Sequence, residues 1–272
     1  MKKMSLCIKK AIFPVLTALL LMGVTGCEKV GETAGEPVGP SPTPIVIKDW
    51  DEEPSLSPTA QEKTQFTSVV PGETVAEIII EGYGSIFVRF FPAKAPKAVE
   101  NFQTLAKNGY YDNTLFHRVM ADFMIQGGDP EGTGYGGESI YGKAFEDEFD
   151  SELEPFRGAL CMANAGADTN KSQFFLVQAD ASDVADLKEM VEYQGYSLQE
   201  YLKAGFNTEI SDEQLNEYLT YGGTPWLHGH HTVFGQIYEG FDVLDKIANT
   251  ATDANDRPLE DVVVRTIRIF SY

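Results

Sequence analysis

Residues 115–129 read Leu-Phe-His-Arg-Val-Met-Ala-Asp-Phe-Met-Ile-Gln-Gly-Gly-Asp, and the rest of the chain can be interpreted around them. Their alternation of apolar and polar residues predicts two short strands with a break at Ala121-Asp122. Because side chains alternate along a strand, Arg118 should lie on the face opposite His117 and Val119. Three side chains after the break can gather near this arginine: Phe123, Met124 and Gln126. A cation, an aromatic ring, a thioether and an amide on one surface suit an apolar ring flanked by peptide carbonyls.

The flanking segments predict a mainly β domain. Apolar, β-branched and aromatic residues indicate six further strands, at residues 75–80, 85–91, 158–163, 172–177, 232–237 and 262–270. Amphipathic patterns indicate two core helices, at residues 94–107, with Pro96 in the first turn, and at residues 240–248. Many antiparallel strands with two helices favour a closed barrel, because closure removes exposed strand edges.

Residues 179–223 interrupt this pattern with an acidic insertion of three short helices. Their predicted N-caps are Ser182, Ser197 and Ser211. Glu200 and Gln214 complete capping boxes for the second and third helices, which are predicted to end at Gly205 and Gly222. Because the insertion lies just before Trp226, we hypothesise that it restricts or extends substrate access.

The first 27 residues have the features of a lipoprotein signal peptide. A lysine-rich start and a short apolar run lead to Val24-Thr25-Gly26-Cys27, which resembles a bacterial lipobox. This resemblance implies lipidation of Cys27 and an extracytoplasmic, membrane-anchored protein. The alternative is an ordinary signal peptide with an incidental cysteine. Cys161, with apolar neighbours, is predicted to be a buried, inert thiol.

Composition separates the leader from the domain and excludes some partners. Residues 28–70 are rich in proline, glycine and acids and are predicted to form a flexible linker, leaving 71–272 as the folded domain. The chain has 21 basic and 41 acidic residues, for a net charge of −20. This charge argues against nucleic acid as a partner, because phosphate binding needs a basic surface.

Several motifs together resemble the cyclophilins in order and spacing. They are Phe116-His117-Arg118-Val119, Phe123-Met124-Ile125-Gln126-Gly127-Gly128-Asp129, Met162-Ala163-Asn164-Ala165-Gly166, Ser172-Gln173-Phe174-Phe175, Trp226-Leu227 and His231-Thr232-Val233-Phe234-Gly235. The resemblance implies a closed eight-stranded antiparallel barrel capped by two helices, here carrying the insertion. It also implies peptidyl-prolyl cis–trans isomerase activity without a cofactor or metal.

The resemblance also implies roles for individual residues. Arg118 matches the catalytic arginine. The proline pocket is matched by Phe123, Met124, Phe175 and Leu227, and the substrate backbone contacts by Gln126 and Asn164. The neighbouring groove is matched by Ala163, Ala165 and Gln173, and the pocket rim by Trp226 and His231. The glycine-rich loop, residues 132–137, is matched by Gly134. The implied partners are proline-containing segments of unfolded or secreted proteins, and cyclosporin-like ligands.

Two other classes of function stay open at this point. The same pocket could grip proline-containing segments without catalysis, although binding alone does not require the Arg118 guanidinium. His117, His228, His230 and His231 could instead form a metal site. His117, on the face opposite Arg118, is interpreted as a packed histidine and not as an acid or base.

Overall fold

The computed structural model describes residues 63–272, so the predicted leader, Cys27 and most of the linker lie outside the described residues. Nine strands form one antiparallel sheet in the order β3-β9-β1-β2-β8-β6-β7-β5-β4. The strands are β1 Thr74–Ile80, β2 Gly84–Phe90, β3 Thr114–Leu115, β4 Arg118–Met120, β5 Met124–Gly127, β6 Ala159–Met162, β7 Phe174–Val177, β8 Val233–Glu239 and β9 Val263–Ser271. The mainly β class predicted from the sequence is confirmed.

The sheet is a curled half-barrel with nine strands, where the sequence predicted a closed barrel of eight. The two edge strands of the sheet, β3 and β4, are consecutive in the chain. Between them Phe116 and His117 leave the ladder, which divides the predicted first strand in two. No ladder pairs β3 with β4 among the described residues. The strand count therefore differs because one predicted strand is split at buried side chains.

Two helices cover the concave side, α1 Pro96–Lys107 and, near the end of the chain, α5 Phe241–Ala248. The α1 helix buries Val99, Phe102 and Leu105 against the sheet. The Phe102 ring lies within ring contact of four others, those of Phe90, Tyr111, Phe174 and Phe234. Aromatic pairs of this kind contribute both buried area and specific geometry to a core.

The insertion between β7 and β8 consists of three helices, α2 Ala181–Tyr193, α3 Leu198–Phe206 and α4 Asp212–Tyr221. The capping boxes of Ser197 with Glu200 and of Ser211 with Gln214 are confirmed. The predicted cap Ser182 was wrong, because the Asp180 carboxylate accepts the first free amides. The predicted stop at Gly205 was also wrong: α3 continues to Phe206 and is capped by Asn207, which adopts the left-handed conformation.

The insertion has its own apolar core, separate from that of the sheet. Ten buried residues form it: Phe156, Val184, Leu187, Val191, Leu198, Tyr201, Leu202, Ile210, Leu215 and Tyr218. Trp226, which follows the insertion, packs against the same cluster. No helix within residues 63–272 is long and apolar enough to cross a bilayer.

The last part of the predicted linker packs on the domain. Gln65 is buried and exchanges two hydrogen bonds with the Glu154 main chain. Phe66 stacks on Tyr221 at a centroid distance of 4.5 Å, and Lys63 pairs with Glu217. Residues 63–66, which composition assigns to the linker, therefore pack on the domain, because their side chains find partners that composition does not reveal.

Replacing Asp183 with asparagine is expected to raise the melting temperature, and more at pH 7.5 than at pH 4. Burial, and then the neighbouring carboxylates of Asp122, Asp180 and Asp186, raise the pKa of Asp183 from 3.8 to about 6. Folding therefore opposes its ionisation, so stability present below pH 3.8 is lost as the pH rises through 6. Asparagine cannot ionise and keeps an oxygen to accept from the Asp180 amide, as Asp183 does now.

Calorimetry at both pH values measures this difference, with the exposed Glu189→Gln on the same helix as the control. An equal effect of Asp183→Asn at the two pH values would contradict the expected ionisation cost.

Candidate active site

The strand register brings the candidate residues to the convex face of the sheet. Arg118 pairs with Gln126, Gln126 with Phe175, and Phe175 with Cys161. Directly opposed residues of antiparallel strands point to the same side, so these four side chains form a row. The alternating residues, such as Val119, belong to the concave core instead. The period-two argument from the sequence thus places Arg118 outside the main core, as predicted.

Arg118 projects from the edge strand β4 and stays half-exposed, with 41% of its side chain accessible. Its Cζ lies 6.0 Å from the Phe123 ring centroid, and its Nη2 lies 3.0 Å from Met120 Sδ. Its Nε lies 3.9 Å from Asp256 Oδ2. Asp256 was missed by sequence reasoning, because nothing near it in the chain indicates an approach to β4.

An apolar cluster lies beside the guanidinium. Met124 and Phe175 are buried within it, while Phe123, Ala163 and Leu227 are half-buried and pack at its border. Met124 and Phe175 therefore form the floor of the cluster. The accessible apolar surface comes from the residues at the border, and it lies next to Arg118.

Amide side chains form the polar side of the site. Gln126 Nε2 donates to Gln173 Oε1 at 3.0 Å, and Gln173 Nε2 donates to the Gly136 carbonyl at 2.8 Å. These bonds join β5, β7 and the glycine-rich loop. In that loop, the Gly134 amide donates to Asp129 Oδ2 at 2.7 Å. Gln126 and Gln173 are thus oriented by each other before any ligand arrives.

Asp129 is buried beneath the glycine-rich loop, and sequence reasoning gave it no role. Burial works against its ionisation, but backbone amides, including those of Glu131, Gly134 and Gly136, hold the pKa of Asp129 below its ordinary value. The charged Asp129 carboxylate therefore accepts hydrogen bonds from several amides of the glycine-rich loop, which has no regular secondary structure. Gly134 adopts a φ of +84°, which favours glycine at this position.

The third side of the site follows β6. Asn164 Nδ2 donates to the His230 carbonyl at 2.9 Å, and the Ala163 amide donates to the Gln173 carbonyl at 3.0 Å. Ala165 is exposed, and its amide donates to Thr169 Oγ1. Asn164 therefore joins the β6 loop to the segment that carries the predicted rim residues.

The predicted rim residues, Trp226 and His231, contact aromatic rings of the apolar cluster. The Trp226 ring lies 5.6 Å from that of Phe123, and the His231 ring meets the Phe175 ring edge-on at 5.2 Å. His231 Nδ1 donates to the Met162 carbonyl at 3.0 Å. Burial lowers the pKa of His231 from its ordinary value of 6.5, so the ring is neutral at pH 7. Taken together, the structure gathers residues from 118 to 231 around one apolar patch with a cation at its edge.

Comparison with known proteins shows the family of the chain. The family described as cyclophilin type peptidyl-prolyl cis-trans isomerase matches residues 75–269. The chain belongs to this family. It is therefore a cyclophilin-type peptidyl-prolyl cis–trans isomerase, as the motifs predicted.

Relatives and solved structures agree with this membership. The cyclophilin is 46% identical over 205 residues to a protein of Staphylococcus epidermidis named as a peptidyl-prolyl cis-trans isomerase, covering 75% of this chain and 96% of the relative. It is 50% identical over 186 residues to one of Staphylococcus haemolyticus, covering 68% and 86%. A Cryptosporidium parvum cyclophilin, crystallised in the presence of the dipeptide Ala-Pro, is 34% identical with a TM-score of 0.55, covering 73% of this chain and 99% of its own.

The histidines of this cyclophilin have separate surroundings. His117 is buried against Gly134, and burial lowers its pKa, which suits the predicted packing role. His228 Nδ1 contacts Glu154, and His230 Nε2 contacts the Thr208 hydroxyl. In residues 63–272 no group of three or more His, Cys, Asp or Glu side chains is placed to hold a metal. The histidine-based metal alternative therefore gains no support from the described part of the chain.

Proposed function

We propose that Arg118 is the electrostatic catalyst of this isomerase. Rotation about an X–Pro bond must break amide resonance, with a barrier of about 18–20 kcal/mol. No covalent bond is made or lost, so the enzyme must bind the twisted amide better than either planar form. Twisting gives the proline nitrogen a lone pair, to which a guanidinium N–H can donate a hydrogen bond. The observation that carries the proposal is the half-exposed Arg118 beside the apolar patch of Phe123.

The apolar patch is the proposed binding site of the pyrrolidine ring. Phe123 and Leu227 provide the accessible surface, supported from below by Met124 and Phe175. A ring held there places the preceding amide near Arg118. Because guanidinium stays charged at any relevant pH, the donor needs no proton transfer to function.

The amides of the site are proposed to hold the flanking peptide. Gln126 on β5 and Asn164 after β6 are each fixed by a partner, Gln173 and the His230 carbonyl respectively. The groove would continue over Ala163, Ala165 and Gly134. Fixing both sides of the substrate confines the motion to one bond, which lowers the entropic part of the barrier. Cyclosporin-like ligands would compete for the same pocket.

The activity is tested by a proline isomerisation assay on an X–Pro tetrapeptide, comparing the wild type with Arg118→Ala. Equal rates for the two proteins would refute the role of Arg118. Affinity for the peptide without any acceleration would favour the non-catalytic binding module.

We infer that the enzyme acts outside the cytoplasm on secreted or cell-surface chains. Support comes from the Val24-Thr25-Gly26-Cys27 sequence, followed by a proline-rich stretch. X–Pro bonds isomerise in tens to hundreds of seconds without catalysis, which is slow for a chain that must fold after export. A lipidated Cys27 would hold the enzyme at the membrane, since burial of acyl carbon contributes about 0.8 kcal/mol per CH₂.

Replacing Cys27 with serine is expected to abolish incorporation of a radiolabelled fatty acid and to move the enzyme from the membrane to the soluble fraction. The reason is that serine cannot form the thioether of a lipoprotein. Cys7→Ser is the matched control, because Cys7 lies in the leader that processing would remove. Labelling that survives in Cys27→Ser would contradict the lipoprotein assignment.

A further inference from the structure

Glu154 is a buried carboxylate at the junction of three parts of the chain. It precedes β6 and is only 1% exposed. Its carboxylate accepts from the Tyr218 hydroxyl at 3.0 Å, from Gln214 Nε2 at 2.9 Å and from His228 Nδ1 at 2.5 Å. Its main chain pairs with the side chain of Gln65. A charge buried this deeply is costly unless donors surround it, so these contacts define a fixed arrangement.

The hydrogen-bond donors to the Glu154 carboxylate come from two segments of the chain. Tyr218 and Gln214 belong to α4 of the insertion. His228 lies two residues after Trp226 and one after Leu227, both of which border the proposed proline pocket. The Glu154 carboxylate therefore connects the insertion to the segment that carries Trp226 and Leu227, which form one wall of the proposed pocket.

A second contact connects the same two segments. The buried Thr208, between α3 and α4, donates through Oγ1 to the Trp226 carbonyl at 3.3 Å and lies 3.0 Å from His230 Nε2. The segment 226–231 is thus fixed from the insertion side at two points.

Trp226 itself lies between the two apolar clusters. It packs on the core of the insertion, and its ring lies 5.6 Å from Phe123 in the pocket. Trp226 therefore contacts the core of the insertion and the Phe123 ring at the same time.

We propose that Glu154 is a positioning residue for the isomerase, and that through it the insertion holds the Trp226–Leu227 wall in place for proline. This inference rests on the proposed role of the pocket. Glu154 acts through Tyr218, Gln214 and His228 and does not touch the substrate. When this arrangement is broken, the wall moves away from Phe123 and the proline ring binds less tightly in the ground and transition states alike.

The test uses the full chain with Trp50 replaced by phenylalanine, since Trp50 and Trp226 are the two tryptophans. Trp226 then reports alone on the wall. Glu154→Gln replaces one acceptor oxygen with a donor group, while Glu152→Gln makes the same change at an exposed position two residues away. Tyr218→Phe removes one donor but keeps the ring packed on Phe156, and it supplies the answer if Glu154→Gln does not fold.

We expect Glu154→Gln to raise KM for an X–Pro tetrapeptide about 5- to 10-fold while kcat stays within about 2-fold, because uniform binding is lost. Acrylamide quenching of Trp226 should increase about 2-fold as the wall opens. Tyr218→Phe should show smaller changes in the same directions, and Glu152→Gln should show neither.

A lower melting temperature with unchanged KM and unchanged quenching would assign Glu154 to stability alone and overturn the proposal. A change in kcat without a change in KM would also overturn it. If the parent protein shows no isomerisation, the proposed role of the pocket fails instead. The quenching of Trp226 still decides in that case whether Glu154 positions the wall.

Discussion

Arg118→Ala is expected to lower kcat/KM on an X–Pro tetrapeptide by about 10²–10³-fold, the effect of removing one well-placed transition-state donor. The guanidinium lies at the edge of the apolar patch, where the amide of a bound proline would twist. Because 41% of the side chain is accessible, the substitution creates no cavity in the core. We therefore expect the melting temperature to change little, so that the loss belongs to catalysis.

Two further variants sharpen this result. Arg265→Ala removes an arginine from β9 that is 64% exposed and pairs with Glu81, and it should retain full activity. Arg118→Lys keeps the charge but loses the planar donor geometry, and it should recover part of the rate. Wild-type activity in Arg118→Ala, measured at saturating and limiting peptide, would show that the pocket alone accelerates rotation.

Phe102→Ala is expected to destabilise the domain by about 3–5 kcal/mol, the usual cost of truncating a buried aromatic side chain. Phe102 is fully buried, and its ring contacts those of Phe90, Phe174 and Phe234. These contacts hold α1 against both halves of the sheet. Phe174 adjoins Phe175 on β7, so the cavity would also loosen the floor of the active site.

Urea unfolding followed by circular dichroism measures this loss. Phe270→Ala on β9 is the matched control, since Phe270 is 39% exposed and its truncation leaves no cavity. We expect its free energy of unfolding to fall by less than about 1 kcal/mol. A similarly small loss in Phe102→Ala would mean that the core collapses around the missing ring.

The hypothesis that the insertion restricts or extends substrate access stays a prediction, and the contacts of the insertion carry the separate proposal that it supports the Trp226–Leu227 wall. Its apolar core encloses Phe156 and packs on Trp226, and its α4 helix supplies two donors to Glu154. Deleting the insertion would expose this core and leave the Glu154 carboxylate with fewer partners. A deletion variant therefore tests stability before it tests client preference, which makes the single substitutions the better experiment.

Most strands and helices were predictable because their causes are local. Alternation at period two placed Arg118 on the face opposite Val119, and the structure puts Val119 in the concave core. The capping boxes at Ser197 and Ser211 lie within four residues of the chain. The wrong cap at Ser182 also has a local cause: Asp180 and Ser182 are both good caps, and the Asp180 carboxylate accepts the amides of Ser182 and Asp183.

The sequence by itself determined the family, the mainly β class and the residues proposed for the pocket, because motifs and periodicities lie in short stretches. Only the tertiary structure decided how the strands curl and which carboxylates approach the site. It also decided which aromatic side chains of the apolar cluster are buried and which are accessible. Glu154 meets His228 across 74 residues of sequence. The energy of such a contact depends on burial and on donors from distant elements, and no local pattern records either.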